Sequence, residues 1–283
     1  MRAVNFWKAV RPTFAAAYNR VFLGRFYRLK KGSRGMCSPR VYEEIYDRVR
    51  ELPDLDIVEV GAGAGATSIA AAWALQDAGH SGRVIAIEKC EGGSRSDCGD
   101  KETNLTIIQR HFQAFGVSNK VVLYAEYLTF DNARDVLDLL RTPQIAALIH
   151  DADGRLDRDF SLFWPRLIPG GLLVIDDYEN RRTFRPRSVR YPDGGTKSIL
   201  TYRLLNQFMA WDLVRKHCII RSRTFFGYKP AGADFSRFDP LVCQRIIREV
   251  EAEYAAWWSS QQGGDVTEPT VQADPPRSSS GRS

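Results

Sequence analysis

The chain has 283 residues, 44% of them hydrophobic and 26% charged. Those are the proportions of an ordinary globular protein with enough material for one large core. No apolar run approaches the roughly eighteen residues that a membrane span needs, and the amino terminus, with Arg2 and Lys8, lacks the apolar core and cleavage site of a secretory signal.

The net charge of +6 is unevenly spread: residues 2–40 carry Arg2, Lys8, Arg11, Arg20, Arg25, Arg28, Lys30, Lys31, Arg34 and Arg40 with no acid between them. A second basic cluster runs from Arg181 to Arg190. Neither matches a nucleic-acid-reading module, so no nucleic-acid partner is expected. The five cysteines, Cys37, Cys90, Cys98, Cys218 and Cys243, are odd in number and unlike a zinc framework in spacing. They read as reduced thiols of a cytoplasmic protein.

In chain order, residues 1–30 place Phe6, Trp7, Val10, Phe14, Ala17, Tyr18, Val21, Phe22 and Phe26 at three- and four-residue steps between arginines. This predicts a basic amphipathic helix that packs on the domain or on a second copy in a homo-oligomer; contact with a membrane surface and a lid role are the competing readings. Ser38-Pro39 opens a further helix with proline at its first position.

From residue 55 apolar strands alternate with helices. Strands are predicted at Leu55–Val60, Arg83–Ile87, Lys120–Ala125, Ile145–Ile149 and Gly171–Ile175. Helices are predicted at Thr67–Ala78, Thr103–Phe115, Asp131–Leu140 and Arg158–Leu167. That alternation argues for a doubly wound parallel sheet with helices on both faces. After a helix at Thr196–Trp211, strands at Leu213–Ile220 and Arg223–Tyr228 are separated by a turn too short for anything but an antiparallel hairpin. The expected fold class is therefore α/β, with a mostly parallel seven-stranded sheet: five parallel strands plus the terminal hairpin. Four regions follow: a helical extension (1–37), the main domain (38–230), a carboxy-terminal helix (231–260, with Pro240–Trp258 helical) and a polar tail (261–283) unable to order itself.

Gly61, Gly63 and Gly65 lie between the first strand and a helix, where missing side chains let a ligand approach the backbone and free amides face an anion. Two cofactors fit. Gly61-x-Gly63-x-x-Ala66 satisfies the dinucleotide fingerprint in its alanine form, and Glu88, ending the second strand, suits the ribose hydroxyls of either. Glu59 disfavours a pyrophosphate but suits a zwitterionic methionine moiety, and Gly65 and the terminal hairpin point the same way. Glu59-Val60-Gly61-Ala62-Gly63-Ala64-Gly65 followed by Glu88 resembles the first two motifs of the class I methyltransferases, over roughly residues 38–230. The resemblance implies S-adenosylmethionine as cofactor, held by Glu59, Gly61, Gly63, Gly65, Thr67, Glu88 and Asp151.

His150-Asp151-Ala152-Asp153-Gly154 closes the fourth strand and Asp176-Asp177 the fifth, so Asp151, Asp176 and Asp177 should converge at one crevice. Three close carboxylates need a positive partner, and a hard divalent ion such as magnesium is the simple one; the alternative is that they cap helices or face solvent separately. The pattern resembles the metal-dependent, macrocin-type O-methyltransferases, which implies Mg2+ on Asp151, Asp176 and Asp177 and transfer to a small hydroxylated metabolite or sugar, as in natural-product biosynthesis. Where those enzymes often carry a base, this chain has Gly154. His150 and Asp153 are the candidate catalytic residues, and Lys197 is a third group able to approach the crevice. The basic Arg181–Arg190 loop suits an anionic acceptor. A metal-independent N-methyltransferase, an NAD-type oxidoreductase and a non-catalytic cofactor-binding protein remain alternatives.

Overall fold

A computed structural model describes residues 24–91, 100–180, 183–185, 195–221 and 223–262. Its centre is a seven-stranded sheet of β1 (Asp56–Val60), β2 (Val84–Ile87), β3 (Val121–Tyr124), β4 (Ile145–His150), β5 (Leu167–Ile175), β6 (Arg215–Ile220) and β7 (Thr224–Tyr228), in the order β3-β2-β1-β4-β5-β7-β6. The first five strands are parallel and β7 pairs antiparallel with both β5 and β6. The fold class expected from the sequence is the one observed. β1 and β4 are buried at every position, which is why neither alternates between apolar and polar residues; β1 even buries Asp56 and Glu59.

One face carries α1 (Gly24–Gly32), α2 (Pro39–Arg50), α3 (Ala66–Asp77) and α4 (Lys101–Ala114). Along α2, Val41, Tyr42, Ile45, Tyr46 and Val49 are buried at helical spacing, behind Ser38 at the N-cap and Pro39 in the first turn. The alanines of α3 (Ala70, Ala71, Ala72 and Ala74) are all fully buried, and their small side chains let this helix lie close to α2 and the sheet. The opposite face carries α5 (Ala133–Asp138), α6 (Leu156–Phe163), α7 (Thr196–Ala210) and α8 (Pro240–Gln262).

Two expectations about the ends are refined. Of the basic amphipathic stretch, residues 1–23 lie outside the described residues, and the part within them, α1, packs on the domain. Phe26 and Leu29 are buried in the core, and the Arg25 guanidinium lies over the Tyr46 and Trp73 rings. The carboxy-terminal helix is likewise part of the packed body: Cys243, Ile246, Ile247 and Val250 join the second core, and Arg203 on α7 grips Glu253 with both terminal nitrogens at 2.8 and 2.7 Å. Among the described residues no helix is long and apolar enough to cross a membrane, and Cys37, Cys90, Cys218 and Cys243 are free thiols.

The order β2-β1-β4 reverses the winding between β1 and β4, and this is where an open α/β sheet opens a crevice beyond its strand ends. The Asp151 amide donates to the Val60 carbonyl and the Asp176 amide to the His150 carbonyl, each at 2.9 Å. The residues just past β1, β4 and β5 are thereby stitched into one rim.

Candidate active site

The glycine loop leaves β1 at this rim. Gly61 has φ +88°, and a Cβ there would lie 2.4 Å from the Asp151 carbonyl oxygen; at Gly65, with φ +83°, a Cβ would lie 2.5 Å from the Phe112 ring. Both positions exclude side chains twice over, by dihedral angle and by space. The Gly63 amide points across to β2 and donates to Glu88 Oε2 at 2.6 Å, while the Cys90 amide donates to Glu88 Oε1 at 3.3 Å. The loop and the acid that ends β2 therefore share one site.

Glu59 lies beneath the loop, fully buried. The Ser68 hydroxyl of α3 donates to its Oε2, and its Oε1 is buried with no hydrogen-bond partner. Burial pushes its carboxyl up to about 8, an effect that the Ser68 and Thr67 hydroxyls offset only in part and that Asp151 and Glu88 reinforce. The orphaned Glu59 oxygen fits the polar methionine end of S-adenosylmethionine, and Glu88 fits a diol. Of the expected cofactor residues, the structure gathers Glu59, Gly61, Gly63, Gly65, Thr67, Glu88 and Asp151 around this loop.

The two candidate catalytic residues are tied into a different network. His150 is fully buried; its Nδ1 lies 2.6 Å from Asp159 Oδ2, and its Nε2 is buried without a partner. Arg158 donates to Asp159 at 2.8 Å and to Asp153 at 3.0 Å, and the Tyr127 hydroxyl donates to Asp153 as well. Burial alone would raise the Asp153 carboxyl, but Arg158 and Tyr127 outweigh it and hold it well below the usual carboxylate range. A carboxylate so held is a poor proton acceptor. The expected base role of Asp153 is therefore replaced by an ion-pair role, and His150, on the α6 side of the sheet, anchors that helix to β4.

The acidic rim is also occupied, by the chain's own cations. Lys197, in the first turn of α7, places its Nζ 3.0 Å from Asp151 Oδ1 and 2.7 Å from Asp177 Oδ2. Arg223, in the turn just before β7, donates to Asp177 Oδ1 and lies 3.4 Å from Asp176 Oδ2; the Thr224 hydroxyl donates to Asp176 Oδ1 at 2.7 Å. Burial and the neighbouring carboxylates push the Asp176 carboxyl up to about 7. Burial would lower the Lys197 ammonium, but Asp151 and Asp177 overcome it and hold the ammonium firmly charged.

This arrangement does not make the magnesium site that the resemblance implies. Asp151 and Asp176 do lie close enough for one ion, but the third donor within 4.8 Å of both is the Cys37 sulfur, a soft ligand poorly suited to magnesium. Asp177 is turned to Lys197 and Arg223 instead. Arg223 carried no signal in the sequence beyond opening a predicted strand, whereas Lys197, at a helix start, was expected to be able to approach the crevice.

A seven-stranded sheet with a terminal hairpin and a glycine loop answering to an acid on β2 defines the class I methyltransferase fold. A family model described as "Methyltransferase domain" matches residues 58–178. Solved structures agree on the fold. The O-methyltransferase TomG from Streptomyces achromogenes, involved in tomaymycin synthesis and solved in complex with S-adenosylmethionine, is 16% identical, with 77% of this chain and 96% of that chain covered and a TM-score of 0.53. An O-methyltransferase from Bacillus cereus in complex with S-adenosylhomocysteine is 15% identical, with 76% and 96% covered and a TM-score of 0.52. A putative caffeoyl-CoA O-methyltransferase from Staphylococcus aureus is 14% identical, with 78% and 99% covered and a TM-score of 0.55. A search of the curated proteins finds no match.

Proposed function

We propose that the protein transfers a methyl group from S-adenosylmethionine to a hydroxyl of a small metabolite or sugar, in the manner of a natural-product O-methyltransferase. The observation that carries this reading is the pairing of Gly63 with Glu88 at 2.6 Å, one strand away from a rim of carboxylates and cations. When bound, S-adenosylmethionine supplies an electrophilic methyl: the C–S pair returns to sulfur, an O–C bond forms, and the hydroxyl proton leaves to water.

In this reading Glu88 receives the ribose hydroxyls, and Gly61 and Gly65 let the loop that faces the cofactor turn tightly against the Asp151 carbonyl and the Phe112 ring. Glu59 offers its unpartnered oxygen toward the ammonium of the methionine end. The rim formed by Asp151, Lys197, Asp177 and Arg223 orients the acceptor, and positioning of this kind supplies most of the rate gain in an in-line displacement. That TomG and the Bacillus cereus enzyme are O-methyltransferases supports the choice of oxygen over nitrogen. The basic stretch from Arg181 to Arg190 supports an acceptor with an anionic group.

The test is to incubate the protein with methyl-labelled S-adenosylmethionine and a panel of phenols, catechols, hydroxy acids and sugars, each with and without a carboxylate or phosphate. The reading expects label on oxygen of an anionic member. Label only on amine acceptors would replace it with N-methylation.

A further inference from the structure

At Gly154 the chain turns with φ +81°, and a Cβ there would lie 3.0 Å from the Lys197 carbonyl oxygen and 3.4 Å from both the Lys197 Cα and the Thr201 hydroxyl. The missing side chain is therefore what lets the first turn of α7 close on the loop after β4. That approach brings the Lys197 ammonium between Asp151, from β4, and Asp177, from β5. On the other side of Asp177 the β6–β7 turn delivers the Arg223 guanidinium, which also reaches Asp176. Two elements, the first turn of α7 and the β6–β7 turn, thus supply two positive charges to three carboxylates at the ends of β4 and β5.

We propose that Lys197 stands in the place of a divalent cation: its ammonium bridges Asp151 and Asp177, with Arg223 completing the charge balance, so that this rim is held together without a resident metal ion. A divalent ion bridging Asp151 and Asp177 would have to displace a cation that two carboxylates already bind within hydrogen-bond distance. An ammonium is a point charge with three donors. It can bridge two carboxylates at once, so Lys197 is a residue that holds the rim in position, not a proton carrier. Its significance for catalysis rests on the methyltransferase reading; the metal-binding statement does not.

The experiment is a titration of the full chain with Mn2+, followed by electron paramagnetic resonance, beside the Lys197→Ala variant. The wild type should leave the free-ion signal intact. Lys197→Ala should bind one Mn2+ at least about tenfold more tightly, as expected from removing one positive charge within contact of the ligands. Uptake of one Mn2+ per wild-type chain, lost in Asp177→Asn, would overturn the proposal whether or not Lys197→Ala folds. So would a folded Lys197→Ala, verified by S-adenosylhomocysteine binding, that gains no Mn2+. Failure of S-adenosylhomocysteine to bind the wild type would instead sink the methyltransferase reading and leave the Mn2+ result standing.

Discussion

The Glu88 carboxylate lies 2.6 Å from the Gly63 amide and spans the gap between the ends of β2 and β1. A single acid therefore shapes the glycine loop, and in the proposed function it also receives the cofactor's ribose. Glu88→Ala should weaken S-adenosylhomocysteine binding by about 10- to 100-fold, the range for losing hydrogen bonds to a charged group. Calorimetric titration measures it, and an affinity within twofold of the wild type would remove Glu88 from the site.

Gly61→Ala forces a side chain into the left-handed region and against the Asp151 carbonyl at 2.4 Å. The two costs together should destabilise the fold by at least about 2 kcal/mol, seen as a lower urea midpoint. Gly79→Ala, with φ +70° but nothing within 4 Å, bears only the dihedral cost and should lose less.

The buried His150–Asp159–Arg158 network predicts a stability defect in place of a catalytic one. Asp159→Ala leaves Arg158 and His150 without a common partner, and breaking such a buried pair costs about 3–5 kcal/mol. His150→Ala should lower the melting temperature while leaving S-adenosylhomocysteine affinity unchanged. A His150→Ala protein as stable as the wild type but inactive would restore the catalytic role.

Glu59 gives the ligand-free protein a pH dependence of definite sign. Its folded value, about 8, lies above the ordinary 4.5, so between those limits the folded chain holds one more proton than the unfolded one. Glu59 therefore makes stability fall as pH rises through that window, by up to about 1.4 kcal/mol per pH unit. Glu59→Gln should flatten this component, as measured by urea unfolding at pH 5, 6, 7 and 8. An unchanged slope in the variant would show that Glu59 is ionised in the folded state.

Much of the fold is legible in the sequence because its signals are local. β1 and β4 announce themselves as apolar runs ending in glycines and acids, and the hairpin of β6 and β7 by the shortness of its turn. The cofactor loop is legible for the same reason: Glu59 through Gly65 is one continuous segment. The acidic rim is legible in its negative half and, in part, in Lys197, whose place at a helix start lets it approach the crevice; its two-carboxylate bridge and Arg223 are not. Lys197 is 46 residues from Asp151, and Arg223 is 46 from Asp177. No periodicity joins them; only the packing of α7 against Gly154 and the antiparallel return of β7 do. Three close carboxylates need a positive partner, and the fold supplies it from its own side chains. His150 shows the complementary case, since the pleat that sends Asp151 to the rim sends its neighbour to the opposite face, toward α6.

The most direct test of the account is a calorimetric titration of the full chain with S-adenosylmethionine and, separately, with NAD. The glycine loop and Glu88 predict binding of one S-adenosylmethionine per chain and no heat from NAD. Saturable binding of NAD, with none of S-adenosylmethionine, would contradict it.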